Sequence, residues 1–363
     1  MSDRWIIRRG AKRSGFRYIG LDGRPITNAR ERARIDALRV PPGWSDVHIA
    51  PSARSAIQAW GIDAKGRKQY RYHARAVERA EQRKHYRVRR LARDLPKIRD
   101  RMRHDFARAD LSRRQVAAAV LHMISEGFFR VGGERYAKEN RTFGLTTLRK
   151  SHVRVDGDCL YFAYKGKRSI DQRQVLVDRT LAAFARELAR APGKRLFRYR
   201  ERHAWRDLTA RDVNDYVREV TGRRYTAKDF RTWGGTLRLA TVLAELGRGR
   251  SESDRKRNAL SAIRMVAAEL GNTPAICRKS YVHPIVLARY LDAGETMILT
   301  PARRAHRRRS SVAHYPEERA LIRFLDTHFP ERRRRLRDEE VVEHGESGIG
   351  NRESRTRRKP VAR

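Results

Sequence analysis

Cysteine is nearly absent: only Cys159 and Cys277 occur, far apart and in no C-x-x-C pattern. That argues against a zinc ribbon or a disulfide-stapled scaffold and fits a reducing cytoplasm. Long apolar runs are missing as well. None approaches the roughly 20 residues needed to span a bilayer, and the opening M-S-D-R-W-I-I-R-R-G lacks the apolar stretch of a signal peptide. No G-x-x-x-x-G-K-[ST] loop occurs, which speaks against an ATP-driven motor. Acidic charge is scarce, with 42 Asp and Glu against 85 Lys and Arg in 363 residues, a formal net charge of +43. A folded body tolerates such self-repulsion when its partner is a polyanion, and nucleic acid fits better than membrane.

Hydrophobic residues make up 39% of the chain, enough for real cores, and the length allows two or three domains. The first seventy-odd residues carry turn signals at Leu21-Asp22-Gly23, Pro41-Pro42-Gly43 and Asp63-Ala64-Lys65-Gly66, with short apolar or aromatic runs between them. This predicts a small β-rich domain with one short helix near 28–38. From His73 to about Ala109 the pattern turns helical and very basic. Residues 112–129 predict an amphipathic helix capped by Ser112, with Val116, Ala119, Val120, Met123 and Ile124 on one face. Period-two alternation over 152–177, broken at Asp156-Gly157 and at Lys165-Gly166-Lys167-Arg168, predicts a three-stranded meander. Helices are expected again at 178–190, 209–220, 226–247, 255–270, 283–293 and 317–329, with 247–254 as a flexible linker and a basic, disordered tail from Glu331. The fold class is therefore α+β. The expected division is a β-rich domain over 1–76, a mainly helical catalytic domain over 77–297, and a C-terminal helix with its tail over 298–363.

Candidate chemistry concentrates in a few stretches. Arg130 precedes Gly132-Gly133, and Arg231 lies in K-D-F-R-T-W-G-G-T, which enters a helix. The planar fork of arginine matches two non-bridging oxygens of a phosphodiester. Two such arginines, a donor in Asn272, a proton source in Lys167 and the hydroxyl of Tyr281 would together suit attack on phosphorus. Spacing alone leaves the plainer alternatives open: solvated arginines, a lysine that caps a turn, a packed tyrosine before a helix. Asp156-x-Asp158 has the look of half a metal site, but an Asp-Gly turn accounts for it.

The motifs decide between these alternatives. P-P-G-W-S-D-V at 41–47, K-G-R-K-Q-Y-R-Y-H at 65–73 and the long run from Arg130 to Leu148 occur in order. They are followed by Y-K-G-K at 164–167, K-D-F-R-T-W-G at 228–234, L-G-N-T-P at 270–274 and K-S-Y at 279–281. In this the chain resembles type IB DNA topoisomerases of the poxvirus-like and bacterial branch, from about Pro41 to Leu291. The resemblance implies that Tyr281 is the nucleophile, that Arg130 and Arg231 grip the scissile phosphate, and that Lys167 protonates the leaving 5′-oxygen. Asn272 stands where many members have histidine, which leaves a hydrogen-bond donor rather than a titrating group. It also implies a catalytic fold like that of tyrosine recombinases, and a clamp around duplex DNA. Arg67, Gln69, Tyr70 and Tyr72 match the segment that enters the major groove, and Lys65, Tyr136 and Lys228 complete the expected DNA contacts. Alternation places Gln69 and Arg71 on one face of that strand and Tyr70 and Tyr72 on the other, with packing in a small sheet core as the plainer reading of the tyrosines. No cofactor, metal, small-molecule substrate or membrane partner is implied, and the expected form is a monomer, cytoplasmic and nucleoid-associated.

Tyrosine recombinases share the chemistry, but their second motif typically has histidine three residues before the arginine, where this chain has Lys228. A non-catalytic architectural protein would explain the charge but not the ordered reactive residues.

Overall fold

The computed structural model describes residues 5–11, 13–299 and 313–330. The tail from Glu331 lies outside them. Five antiparallel strands form the first sheet: β1 (Ile6–Ala11), β2 (Gly15–Ile19), β3 (Ser45–Ile49), β4 (Ile57–Ile62) and β5 (Lys68–Tyr72), in the order β2-β1-β3-β4-β5. Helix α1 (Ala29–Ala37), capped by Asn28, covers one face. There Ile6, Ile35, Val47, Ile49 and Ala59 build a small core of their own. The other face carries aromatic rings: His48 stacks on Trp60 at 3.9 Å, Tyr70 on Tyr72 at 5.8 Å, and Lys68 Nζ sits 3.6 Å over Trp60.

Helix α2 (Ala74–Phe106) continues directly from the sheet. Its Val88, Leu91, Ala92, Leu95, Ile98 and Met102 recur at helical spacing and enter the larger core. Helix α3 (Arg113–Gly127) starts at Ser112, whose hydroxyl accepts from the Gln115 amide, as the sequence predicts. It is not amphipathic, however. Ala117, Ala118 and Leu121 are as buried as the expected face, because α3 is wrapped by neighbours and small residues allow their close approach.

After the short α4 (Glu134–Asn140) comes the meander of β6 (Val153–Asp156), β7 (Cys159–Lys165) and β8 (Asp171–Val177). The helices α5 (Arg179–Arg190), α6 (Ala210–Thr221), α7 (Ala227–Leu246) and α8 (Glu252–Glu269) follow, with a hairpin of β9 (Arg198–Glu201) and β10 (Ala204–Asp207) between α5 and α6. The expected linker at 247–254 is much shorter: Ser251 caps α8 by accepting from the Asp254 amide, and helix begins at Glu252. Helices α9 (Pro274–Ser280) and α10 (Pro284–Ala293) flank Tyr281. Helix α11 (Pro316–His328) sends Ala320, Leu321, Phe324 and Leu325 into the same core as α2. Arg99 of α2 grips its buried Glu318 at 2.7 and 2.8 Å, and Arg89 and Arg93 bind Asp326. Helix and sheet are thus mixed, as an α+β class requires. No described helix is long and apolar enough to cross a membrane.

Candidate active site

Four turns and helix ends carry the candidate side chains Arg130, Arg231, Asn272 and Tyr281. Phe128 adopts a left-handed conformation, φ 53°, which ends α3 and turns the chain toward Arg130. The Arg130 segment is then pinned by the Leu145 and Thr146 amides, which donate to the carbonyls of Arg130 and Val131 at 2.9 and 2.8 Å. Gly144 is needed there, since a Cβ would lie 2.6 Å from the Arg130 carbonyl oxygen. At the start of α7, Asp229 caps the helix through Thr226 and binds Arg87 of α2, so the first turn is held from both sides. Arg231 follows, only 3% exposed.

The end of α8 places Asn272. Gly271 at φ 60° closes the helix while the Gly271 amide donates to Ala268 and the Asn272 amide to Ala267, a double closure that favours glycine at that position. Arg130 Nη2 then donates to Gly271 O at 2.7 Å and Asn272 Oδ1 at 2.6 Å, and Arg231 Nη2 donates to Leu270 O at 3.0 Å. Because arginine only donates, the carboxamide oxygen of Asn272 must face it. Its Nδ2 is left buried without a partner, and so is Arg231 Nε. Two buried donors with nothing to bind are costly unless an acceptor enters the site.

Tyr281 closes the cluster. Its carbonyl accepts from Thr236 Oγ1 at 3.2 Å, and Gly235 allows that approach because a Cβ there would sit 3.0 Å from the same oxygen. The Arg231 guanidinium carbon lies 5.2 Å from the centre of the Tyr281 ring. Burial pushes the phenol's pKa up, but Arg231 and Arg130 outweigh it, Lys228 adds to them, and the net shift is downward. Burial lowers Arg231 to about 10, which still leaves it charged at neutral pH.

Residues 68–298 match the family model of the catalytic core of eukaryotic DNA topoisomerase I, and residues 15–63 match that of the N-terminal domain of bacterial DNA topoisomerase IB. The chain belongs to the type IB DNA topoisomerase family. DNA topoisomerase 1B of Acanthamoeba polyphaga mimivirus is 32% identical over 291 residues, 78% of this chain and 87% of the relative. The DNA topoisomerase 1B of Vaccinia virus (strain Copenhagen) is 24% identical over 264 residues, 71% and 81% of the two chains, and DNA topoisomerase I of Monkeypox virus is 23% identical over the same length.

Within this topoisomerase-family chain, Arg130, Arg231, Asn272 and Tyr281 are brought together, whereas Lys167 stands exposed on the turn joining β7 and β8, with no hydrogen-bond partner among the described residues. Lys228 is exposed on the first turn of α7 and acts on Tyr281 through its charge. Tyr72 and Tyr136 are open to solvent, 52% and 56% exposed, and Tyr70 is half-buried on the same outer face as Tyr72. None of the three belongs to the sheet core, so the plainer reading of Tyr70 and Tyr72 fails. Gln69 is turned to the core side of β5, where its Nε2 donates to Asp63 Oδ2 at 3.0 Å. Asp63 also binds the Lys65 and Arg67 amides and the Arg67 guanidinium, so this one carboxylate shapes the β4–β5 turn.

Tyr164 escaped the sequence reading. It lies on β7 near both arginines, and burial pushes its phenol up to about 12 against their charges. A second tyrosine thus stands by the cluster in its neutral form. It opens the Y-K-G-K motif at 164–167, but no role attaches to it there, and its alternation with the buried Phe162 points to core.

Proposed function

We propose that the chain relaxes supercoiled duplex DNA by cutting one strand, letting it rotate, and resealing it. The Tyr281 phenol gives up its proton to water, its oxygen attacks phosphorus as the bond to the 5′-oxygen breaks, and the DNA is held as a 3′-phosphotyrosyl ester. Lys167 gives its proton to the leaving 5′-oxygen, and the reverse sequence restores the strand. Arg130, Arg231 and Asn272 bind the non-bridging oxygens, whose negative charge grows in the transition state. The carrying observation is the pair of unpartnered donors, Arg231 Nε and Asn272 Nδ2, buried beside a tyrosine whose pKa is lowered.

The ester conserves the free energy of the phosphodiester, so ATP is not required, and the guanidinium and ammonium groups supply positive charge that a metal ion brings elsewhere. Residues 1–76, with Lys65, Arg67, Gln69, Tyr70 and Tyr72, form one jaw of a clamp on duplex DNA. Residues 77–297 form the catalytic jaw, with Tyr136 and Lys228 on the DNA side, and 298–363 a C-terminal appendage. The acting form is a monomer at the nucleoid, with a recombinase-like catalytic fold. A supercoiled plasmid incubated in EDTA tests this: wild type should relax it and Tyr281→Phe should not. Equal relaxation by both proteins would remove the proposal.

A further inference from the structure

Lys167 is the one member of the proposed catalytic set that projects from a hairpin tip, so something must seat that tip. Within 166–170 the backbone bonds stay inside the hairpin: the Gly166 amide donates to Ile170 O at 2.8 Å and the Ser169 amide to Gly166 O at 3.0 Å, and Ile170 O also accepts from Gln172 Nε2 at 3.5 Å. Arg168 and Ser169 both take left-handed conformations, φ 63° and 58°, which are unfavourable for residues with a Cβ. At the neck, Lys165 pairs with Asp171 across the strands at 2.8 Å, and its carbonyl accepts from the Phe143 amide at 2.8 Å.

Gln172 links this tip to the 271–272 turn by packing, while its Nε2 donates within the hairpin, to Ile170 O at 3.5 Å and Asp171 O at 3.2 Å. It faces Tyr164 across β7 and β8 and is 7% exposed, although it is polar and sits near a hairpin end. Its side chain fills the space between two glycines. A Cβ on Gly166, next to Lys167, would lie 2.6 Å from Gln172 Cγ, and a Cβ on Gly271, next to Asn272, would collide with Gln172 Oε1. Around it runs a groove of about 320 Å³ between β8 and the 267–273 segment.

We propose that Gln172 is a positioning residue that seats the Lys167 hairpin on the Gly271–Asn272 turn. The inference rests on the general-acid role given to Lys167 above. The two sides of the contact are unequally supported. The turn is also held by the amides of Gly271 and Asn272 and by Arg130 and Arg231, none of which involves Gln172. The hairpin is tied outward at its neck, where the Phe143 amide donates to Lys165 O at 2.8 Å, but from Lys167 to Asp171 no hydrogen bond among the described residues leaves it. Shortening Gln172 therefore releases Lys167 while leaving the arginines, Asn272 and Tyr281 in place.

Single-turnover cleavage of duplex DNA tests this, with the leaving atom at the scissile bond either the ordinary 5′-oxygen or a 5′-sulfur. A thiolate leaves without a proton, so sulfur bypasses only what Lys167 supplies. Gln172→Ala should slow cleavage of the oxygen substrate by about 10- to 100-fold, the scale of a displaced catalytic group. On the sulfur substrate it should match wild type, as Lys167→Ala should. Gln172→Asn, which is one methylene shorter and keeps the amide, should show the same pattern to a smaller degree and serves if the alanine variant does not fold. Equal slowing on both substrates, or no slowing on oxygen, would overturn the role of Gln172. Failure of sulfur to rescue Lys167→Ala would instead remove the general-acid reading itself.

Discussion

The guanidinium of Arg231 lies 5.2 Å from the centre of the Tyr281 ring and donates to Leu270 O, one residue from the Gly271 carbonyl that Arg130 holds. One cation therefore has two tasks, lowering the cost of the phenolate and offering a donor to phosphate. Replacing Arg130 or Arg231 by alanine should slow cleavage by roughly 10²- to 10³-fold, the usual loss for one preorganised donor. Single-turnover formation of the covalent complex measures it, and a loss under about 3-fold would show that the arginine does not touch the transition state.

The pH dependence follows from the same pair. In the folded protein burial favours the neutral phenol, and the arginine charges more than cancel it. Covalent-complex formation should therefore rise with pH and level off below the ordinary tyrosine value of about 10. In Arg231→Ala the burial effect regains ground, so the inflection should move to higher pH. An inflection that stays in place would mean that Arg231 does not tune Tyr281.

Asn272 offers a sharper contrast. Its oxygen accepts from Arg130, and its Nδ2 is the free donor. Asn272→Ala should be milder than loss of either arginine, since a neutral hydrogen bond is weaker than a charge-assisted one. Asn272→His should retain activity, because imidazole can accept from Arg130 and donate to phosphate. Asn272→Asp should be worse than alanine, since it keeps the acceptor but turns an anion toward the phosphate. Cleavage rates for the three variants in any other order would contradict this geometry.

His85 and His283 face each other at 4.4 Å, and burial lowers them to about 3 and about 2, with Lys84 acting in the same direction. Unfolded chains take up these protons near pH 6.5, whereas the folded protein does not. Their contribution is thus fully present above that value and is lost as pH falls toward 3. Each histidine should cost about 2 kcal/mol of stability by pH 5. Urea unfolding at pH 7 and pH 5 measures the difference, which should shrink in His85→Phe. An unchanged difference would mean that His85 is not the group that resists protonation.

Packing of the C-terminal helix is tested at Arg99, whose removal strands the buried carboxylate of Glu318. Arg99→Ala should cost roughly 3 kcal/mol or more. A urea midpoint equal to that of wild type would show that α11 is not docked in solution as described.

The sequence revealed the elements whose signals are local. The meander announced itself through Asp156-Gly157 and the lysine-rich turn, and α3 and α6 through their Ser112 and Thr209 caps. The start of α8 is equally written in Ser251 and Asp254, but the glycines before it read as linker and obscure the boundary. Helices α4 and α9 leave no periodic signal in the sequence, because each has only 7 residues. The β9–β10 hairpin turns at Arg202, φ 53°, with no glycine or asparagine to mark it. Within the site, motif resemblance named Arg130, Arg231, Asn272 and Tyr281. The seating of Gln172 between two glycines depends on segments about a hundred residues apart meeting in space, which no local pattern records.

The most direct test of the account is to trap the covalent complex on DNA, digest the protein, and map the modified residue and the linked DNA end by mass. The account predicts a single adduct, Tyr281 esterified to a 3′-phosphate, that is absent from Tyr281→Phe although this variant still binds DNA. An adduct on Tyr164 or any other residue, or a linkage to a 5′-phosphate, would contradict it.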